Sequence, residues 1–304
     1  KLLLSIIFFT LSSLLKLSEM ISLFTIIGLY LFELMGIFKF GIENKKLFVG
    51  KKILILIFFS LSIIIAWYYY ANWYNNSHSQ KYYIFEFLPI WSLDKNTVSI
   101  IWNKIILEWQ YDYFHTSILL LFAISFISNI FYIKKSNKLL FSITMFLFLG
   151  SIFYSLLWFK NFKEHDYYII TMYIVILFTF LTSLDIIKKI NPAFLNYKYF
   201  IVLSYLLLIF NVSYSREKIY ERYNSSDIGK YIKNQYKDFF TITPYLRSIG
   251  IDRSDKIITV PDFTLNYSLY LSNQIGWTEF NGVLIDSTIF ENCIKNGAKY
   301  LFVN

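Results

Sequence analysis

The sequence contains very little cysteine, histidine or glycine: its 304 residues include one cysteine, three histidines and 10 glycines. The lone Cys293 excludes an intrachain disulfide, and we expect it to be a small buried residue on a helix. No cysteine or histidine pair has metal-ligand spacing, and no glycine-rich loop follows a strand as nucleotide-binding motifs require. No serine, histidine and aspartate spacing indicates a hydrolase triad. These absences argue against a disulfide-rich secreted domain and against soluble nucleotide chemistry.

Charged residues are also few, at 16% of the chain against 56% hydrophobic residues. The apolar residues fall in long runs, most of them near the ~20 residues that cross ~30 Å of hydrocarbon. We therefore predict an all-α polytopic membrane domain over 1–213 with about seven transmembrane helices, and a small α/β domain over 214–304. The seven apolar runs, of which the first and last are short, are 2–15, 20–38, 53–70, 116–133, 139–159, 167–187 and 199–213.

The lysines predict the orientation of these helices. Three lysine-rich loops, which the positive-inside rule places in the cytoplasm, are 39–52, 134–138 and 188–198. They alternate with lysine-poorer connections, at 16–19, 71–115 and 160–166. These connections and the chain from about residue 214 onward are therefore predicted to be extracytoplasmic. The net charge of +9 thus reflects membrane topology, and no nucleic-acid partner is expected.

The connection at 71–115 is too long for a simple turn. Part of it has the pattern of an amphipathic helix on the membrane surface, for which Asp94 or Asn96 is a suitable N-cap. Its predicted apolar face comprises Val98, Trp102, Ile105 and Trp109. The pattern leaves two interpretations open: an ordered loop that helps to build a site, or an aromatic belt at the headgroups.

Beyond residue 214 the apolar density falls and helix and strand patterns alternate, which is typical of a small α/β layer. We predict neighbouring strands at 256–261 and 299–304. Helices are predicted over 223–251, over 263–276 with its end at Gly276, and over 287–298 with Gly297 as its C-terminal stop. The chain begins at Lys1 inside an apolar run and ends in a strand pattern, so we expect it to be truncated at both ends.

Two short extracytoplasmic turns contain the candidate site residues. The segment NFKEHDYYII combines basic, acidic and tyrosine side chains directly before a span, at the depth of a lipid headgroup. Lysine and histidine bind phosphate oxygens, and carboxylates bind sugar hydroxyls or a metal. The segment LLKLSEM adds a second lysine and carboxylate. The candidates are Lys16, Glu19, Lys163, Glu164, His165, Asp166, Tyr167 and Tyr168. The alternative is a pair of solvated turns with a snorkelling lysine and interfacial tyrosines.

For three further ionisable residues the sequence favours a structural role over a functional one. Glu33 lies inside the second apolar run, where a carboxylate often indicates a functional site. It is near the predicted cytoplasmic end, however, and can reach water or a lysine. His78 and His115 lie in or beside the aromatic loop, and we interpret both as plain interfacial residues.

The motifs resemble those of the GT-C membrane glycosyltransferases, in the branch that includes protein O-mannosyltransferases and the aminoarabinose transferases of lipid A. KEHDYYIITMYIVIL resembles an extracytoplasmic turn and the helix that follows it, which in that family commonly opens with a tyrosine, here Tyr168. SLLKLSEMISL resembles the family's Leu-Thr-Lys-Gly-Pro turn, although Leu15 replaces the threonine and Leu17 and Ser18 replace the glycine and proline. Lys16 alone carries over firmly. The loop at 71–115 resembles the juxtamembrane loop that closes over the active-site cavity.

The resemblance implies a bacterial inner-membrane enzyme that transfers a sugar from a polyprenyl-phosphate donor to a glycan, lipid or protein acceptor. In that family an aspartate in the first extracytoplasmic loop activates the acceptor, and no segment here corresponds to that loop. The chain is thus expected to be a C-terminal fragment whose catalytic residue lies upstream of Lys1. The residues left for the lipid-phosphate side are Lys16, His165 and Tyr168, with Glu19, Asp166 and Tyr167 beside them. A divalent metal ion is compatible with that chemistry.

Two other classes compete with this interpretation. A polysaccharide flippase or an O-antigen polymerase also has many spans and a large outward loop. A flippase needs polar residues through the midplane of several spans, and these spans are nearly free of charge. A polymerase often carries arginines in its large loop, and 71–115 has none. The third class is a membrane-anchored binding protein whose α/β tail recognises a ligand.

Overall fold

The structure is a computed structural model. It describes residues 2–41, 45–48, 51–77, 83, 87–163, 165–224, 234–283 and 286–303. His78 and Glu164 lie outside the described residues. The chain divides into two compact units, and the first comprises Lys1–Ala71 and Phe85–Lys218.

Each of the seven apolar runs contains a helix, because a run of apolar residues must satisfy its backbone hydrogen bonds internally to lie in lipid. An additional helix lies in the predicted loop. The helices are α1 (Leu2–Leu15), α2 (Met20–Leu34), α3 (Lys51–Ser77), α4 (Lys95–Lys104), α5 (Thr116–Phe131), α6 (Lys138–Leu157), α7 (Tyr173–Ile190) and α8 (Lys198–Asn224).

Five helical segments of the described chain are long and apolar enough to cross a membrane, which is fewer than the seven predicted. They are Leu17–Leu34, Lys52–Ser77, Lys138–Leu157, Asp166–Ile190 and Lys198–Asn224. α1 has 14 residues and rises only about 21 Å, short of the hydrocarbon thickness. α5 has 16 residues and reaches membrane length only together with the preceding helix, from which it is bent by 105°. Counting that bent pair as one span gives six.

The predicted amphipathic helix is present, and three of its four predicted apolar residues, Val98, Ile105 and Trp109, pack in a core cluster of the first unit. Asp94 caps α4 by accepting a hydrogen bond from the Thr97 backbone N–H at 2.9 Å. A π-helical turn, Ile105–Trp109, then carries the helix into a last α-helical turn, Gln110–Tyr113. Trp102 is the exception at 44% exposed, while its neighbour Ile101 is buried in its place.

The helices of the first unit pack in a chain of neighbours. α2 contacts α1 and α6, and α7 contacts α5 and α6. Small and polar side chains join α6 to α7: the hydroxyl groups of Thr144 and Thr182 lie 2.9 Å apart. Such contacts are typical of helix packing in membranes, where the hydrophobic effect does not drive association. α8 has no buried residue, so lipid or another molecule must cover its apolar sides.

Glu33 has a structural role, as predicted, and its carboxylate binds backbone amides. Its carboxylate is almost completely buried and accepts hydrogen bonds from the backbone N–H groups of Phe40, Leu47 and Phe48, at 2.9, 2.8 and 2.6 Å. A buried carboxylate is stable when its lone pairs are satisfied in this way. Glu33 thereby anchors the lysine-rich loop against the end of α2.

The second unit comprises Asn72–Ile84 and Ile219–Asn304. It contains a three-stranded parallel sheet in the order β2-β1-β3, formed by β1 (Lys256–Val260), β2 (Ile275–Thr278) and β3 (Ala298–Val303). Its helices are α9 (Ile242–Ser248), α10 (Tyr267–Leu271) and α11 (Ser287–Lys295). The predicted pairing of 256–261 with 299–304 is confirmed, and Gly297 follows α11 with φ +97° as predicted.

Two of the predicted helices in this unit are present with shorter bounds in the described residues. The long helix expected over 223–251 is replaced, in its described part, by a 3₁₀ turn at Asp238–Phe240 and by α9. Pro244 in the first turn of α9 explains the break, because a proline further inside a helix clashes with the preceding turn. Gly276 does not end a helix: α10 stops at Leu271 and Gly276 lies within β2, at φ +150°.

A buried aspartate fixes the loop that follows β1. Asp262 is 1% exposed, and its carboxylate accepts hydrogen bonds from the hydroxyl groups of Tyr236, Thr264 and Ser268. The backbone N–H groups of Thr264 and Ser268 also donate to it, at 2.8 and 2.9 Å. Burial by itself raises the pKa of Asp262, but the hydrogen bonds outweigh it and hold the pKa below the ordinary value.

Candidate functional site

The first candidate turn places Lys16 beside the start of α2. α1 ends at Leu15, and Lys16 takes an extended backbone conformation, φ −150° and ψ 123°, before a 3₁₀ turn at Leu17–Glu19. An extended residue between two helices aims its side chain away from both helix axes. Lys16 can therefore reach across to a neighbouring element.

The second candidate turn is held by two buried phenylalanines. Phe159 and Phe162 lie in a 3₁₀ turn, Phe159–Lys163, and are each 1% exposed. Leu88 fixes the same turn through backbone hydrogen bonds to Leu157 and Lys160, at 3.1 and 3.2 Å. A second 3₁₀ segment, Asp166–Met172, then leads into α7. The anchored phenylalanines leave the following His165, Asp166, Tyr167 and Tyr168 at the surface of the turn.

The two turns meet in a cluster of one cation and three rings. The Lys16 ammonium lies 5.0 Å from the ring centroid of Tyr168 and 5.7 Å from that of Tyr167. The two tyrosine rings stack at 4.8 Å, and the His165 ring lies 5.2 Å from Tyr167 and 5.9 Å from Tyr168. Cation–π contacts of this length are attractive. The structure thus brings together residues that lie about 150 positions apart in the sequence, and their role stays a prediction.

Glu19 belongs to the same cluster through a hydroxyl network. The Thr171 hydroxyl donates to the Glu19 carboxylate at 3.1 Å, and the Ser18 hydroxyl lies 3.4 Å from that of Thr171. The sequence reasoning missed Thr171 and Ser18. No motif in the sequence singles out either residue.

A pocket of about 340 Å³ opens between the two turns. Its volume is at the lower end of the range of ligand-binding pockets. The lining combines polar and apolar side chains, and consists of Lys16, Glu19, Ile21, Ser22, Tyr167, Ile170, Thr171 and Ile174. The arrangement can hold an anionic group against Lys16, with an apolar substituent along the isoleucines.

The environment of Lys16 favours an anion as its partner. Burial lowers the pKa of Lys16 below the ordinary value of a lysine, while the charge of Glu19 works in the opposite direction. A partly desolvated ammonium gains more from a second negative group than a fully hydrated one does.

Asp166 is directed to a different partner. Its carboxylate accepts a hydrogen bond from the Tyr113 hydroxyl at 2.8 Å, and Asp166 is not among the residues that line the pocket. His165 is exposed and contacts the outer side of the tyrosine pair. Of the six predicted site residues, Lys16, Glu19 and Tyr167 therefore line the pocket, and Tyr168 and His165 adjoin it. Asp166 is bound to Tyr113 of the loop helix, the helical segment Lys95–Tyr113 of the long connection.

A divalent metal ion fits this pocket poorly. Among its lining residues Glu19 supplies the one carboxylate. Within the described ranges, no group of three or more histidine, cysteine, aspartate or glutamate side chains is placed to hold a metal. Magnesium and calcium prefer several oxygen ligands, so this chain would have to leave most of the coordination to other molecules.

The remaining histidine of the described loop has a structural role. The ring nitrogen Nδ1 of His115 accepts a hydrogen bond from the Ser117 backbone N–H at 3.2 Å, and it thereby caps α5. The ring packs edge-on against Phe210 and Tyr214 of α8, at 4.7 and 5.2 Å. These contacts agree with the plain interfacial role that the sequence predicted.

A second cavity, of about 350 Å³, lies on the opposite face of the 166–176 segment. It is lined by Ile169, Met172 and Tyr173 of that segment, together with apolar residues of α5, α6 and the loop helix. The polar pocket uses Tyr167, Ile170 and Thr171 instead, so the segment separates the two spaces.

No protein-family model, no curated protein and no solved structure matches this chain. The resemblance to membrane glycosyltransferases therefore rests on the sequence motifs around Lys16 and Tyr168 alone. The chain is, by its long apolar helices, a membrane protein with a small α/β unit.

Proposed function

We propose that the full-length protein is a membrane glycosyltransferase that takes a sugar from a polyprenyl-phosphate donor, and that this chain supplies the phosphate-binding side of the site. The observation that supports the proposal is the meeting of Lys16 with Tyr167 and Tyr168 at one pocket. Two turns with the motifs of that family, far apart in the sequence, contribute to the same small space.

The chemistry of such a transfer needs a cation beside the leaving group. When the bond from the sugar to the phosphate breaks, negative charge grows on the lipid phosphate, and a fixed ammonium in a partly dry pocket stabilises it. Lys16 supplies that charge, and Glu19 and Thr171 can bind sugar hydroxyls. The isoleucine wall suits the first carbons of a lipid tail.

The proposal requires that the loop helix and the C-terminal unit lie outside the cytoplasm. We expect cysteines placed at Ser92 and at Ser254, both exposed, to react with a membrane-impermeant maleimide in intact spheroplasts. The variants are made in a Cys293→Ser background, so that each has one thiol. A cysteine at Lys134 serves as the control and should react only after lysis. Protection of either outward position before lysis contradicts the predicted topology.

Replacing Lys16 with alanine should lower kcat/KM for the lipid-phosphate donor by roughly 10- to 100-fold, the equivalent of one lost contact to a charged group. The measurement is sugar transfer by the purified full-length protein from a radiolabelled polyprenyl-phosphate sugar. Lys134→Ala is the matched control, since Lys134 is an exposed lysine in a loop predicted to be cytoplasmic.

The outcomes separate the competing classes. Transfer that is reduced in Lys16→Ala and unchanged in Lys134→Ala supports the proposal. Equal activity in both variants shows that Lys16 does not contact the donor. If the wild-type protein binds lipid-linked glycan but transfers no sugar to an acceptor, it is a flippase or a binding protein, and the transferase proposal fails.

A further inference from the structure

The loop helix and the site turn are joined by one side-chain hydrogen bond to a carboxylate. The Tyr113 hydroxyl donates to Asp166 Oδ2 at 2.8 Å. Tyr113 is the last residue of the final turn of the loop helix, and Asp166 is the first residue of the 3₁₀ segment that contains Tyr167 and Tyr168. A hydrogen bond to an ionised acceptor is among the stronger single contacts of this kind.

Tyr113 is itself held in place by its surroundings. Its ring packs edge-on against Tyr173 at 5.4 Å, and its backbone carbonyl accepts a hydrogen bond from the Ser215 hydroxyl of α8 at 3.1 Å. The neighbouring Tyr111 carbonyl accepts from the Tyr214 hydroxyl at 2.6 Å. Tyr113 therefore presents its hydroxyl from a fixed support, which a side chain needs in order to position another residue.

A second contact joins the same two elements about two helical turns away. The Lys104 ammonium donates to the Lys163 carbonyl at 2.9 Å, just before the site residues begin. Lys163 precedes the ring cluster and Asp166 lies within it, between His165 and Tyr167, so the loop helix contacts the turn at two points.

We infer that Tyr113 is a positioning residue: through Asp166 it fixes the Tyr167–Tyr168 pair over Lys16, and it makes the loop helix part of the site. The inference rests on the proposed function for its effect on catalysis, whereas the mechanical link is a property of the chain. It assigns Asp166 to the support of the site and not to substrate contact, and it favours an ordered loop over a simple aromatic belt.

The first test compares Tyr113→Phe with Tyr111→Phe in the full-length protein. Phenylalanine keeps the ring contact with Tyr173 and removes only the hydroxyl. The Tyr111 hydroxyl, the control, makes no hydrogen bond to a described residue. We expect Tyr113→Phe to raise KM for the polyprenyl-phosphate donor about tenfold with a smaller change in kcat. The reason is that a smaller fraction of the variant protein has the pocket in the conformation that binds the donor. Asp166→Asn keeps an acceptor oxygen and should retain more activity than Asp166→Ala.

The second test uses hydrogen exchange and needs no activity. The backbone amides of Asn161 and His165 are hydrogen-bonded within the turn, to Trp158 and Asn161 at 3.0 and 3.1 Å. We expect about tenfold faster exchange of these amides in Tyr113→Phe and no change in Tyr111→Phe. Unchanged exchange in both variants overturns the inference. If the amides of Tyr113→Phe exchange faster but the wild-type protein transfers no sugar, the mechanical link is supported and the proposed function fails.

Discussion

Replacing Gly276 with alanine should unfold the C-terminal unit. Gly276 pairs with Ile257 across the β1–β2 ladder and adopts φ +150°, a conformation that residues with a side chain rarely take. A Cβ atom built there would lie 1.8 Å from the Ile257 carbonyl oxygen and 2.7 Å from its nitrogen. Both are backbone atoms of the central strand, so they cannot move aside without breaking the sheet. The expected loss exceeds about 4 kcal/mol, at the exceptional end of single substitutions.

The native Cys293 can report this unfolding, so no reporter residue has to be introduced. It is the only cysteine of the chain, it is 2% exposed, and it packs in the same cluster as Ile258 and Trp277. Burial raises the pKa of its thiol to about 11, so the native thiol reacts slowly for two reasons. We expect the thiol of Gly276→Ala to react rapidly with a maleimide without denaturant, and that of the wild type only after urea is added.

Gly250→Ala is the matched control for this experiment. Gly250 also has a positive φ, +84°, but a Cβ atom there meets nothing within 4 Å. Only the backbone strain remains, about 1 kcal/mol, and it should lower the urea midpoint slightly. If the two variants react at similar rates, the close approach at Ile257 does not limit the stability of the unit.

The fold was predictable where a single segment contains its own signal. The buried strand KIITV and the helix STIFENCIK have clear periodicity and turn residues, and both occur as predicted. Strand β2 was missed because IGWT is four residues long and includes a glycine, which in isolation favours a helix end. Only the neighbouring β1 shows why a glycine is needed there.

The number of spans was less predictable than the number of apolar helices. The bend of 105° before α5 depends on contacts between the loop helix, α8 and the turn after α6. These contacts join residues that are distant in the sequence. The burial of Ile101 and the exposure of Trp102 were not predicted either, because hydrophobic periodicity does not show which side of a helix meets distant residues.

The candidate site likewise contains some residues that the sequence indicates and others that only the structure reveals. Lys16, His165 and Tyr168 were found because they carry charge or ring groups at the ends of apolar runs. Thr171 and Tyr113 were not found, since a threonine and a tyrosine among many tyrosines carry no signal of their own. The structure adds a partner for Asp166, the Tyr113 hydroxyl, and the predicted substrate contact of Asp166 stays a prediction. The buried Asp262 was missed although its spacing to Thr264 is a recognisable turn signal.

Replacing Asp262 with asparagine should destabilise the C-terminal unit by about 3 kcal/mol at pH 7. Asparagine has the same size, but its NH₂ group would face donors, because the groups around the Asp262 carboxylate donate to both of its oxygens. At least one buried N–H would then lose its acceptor. The measurement is the urea midpoint of the unit, followed by the reactivity of Cys293.

The dependence on pH separates the charge of Asp262 from its shape. Hydrogen bonds hold the pKa of Asp262 below its ordinary value against the effect of burial. An acid with a depressed folded pKa contributes stability that is present above its unfolded pKa of about 4 and is lost as pH falls through the folded pKa. Asp262→Asn should therefore lose less stability than the wild type between about pH 5 and pH 2.

Asp286→Asn is the control for the substitution itself. Asp286 is exposed and caps α11, and asparagine caps almost equally well, so the urea midpoint of Asp286→Asn at pH 7 should stay near that of the wild type. Equal urea midpoints for the two variants would show that the buried carboxylate does not organise the loop after β1.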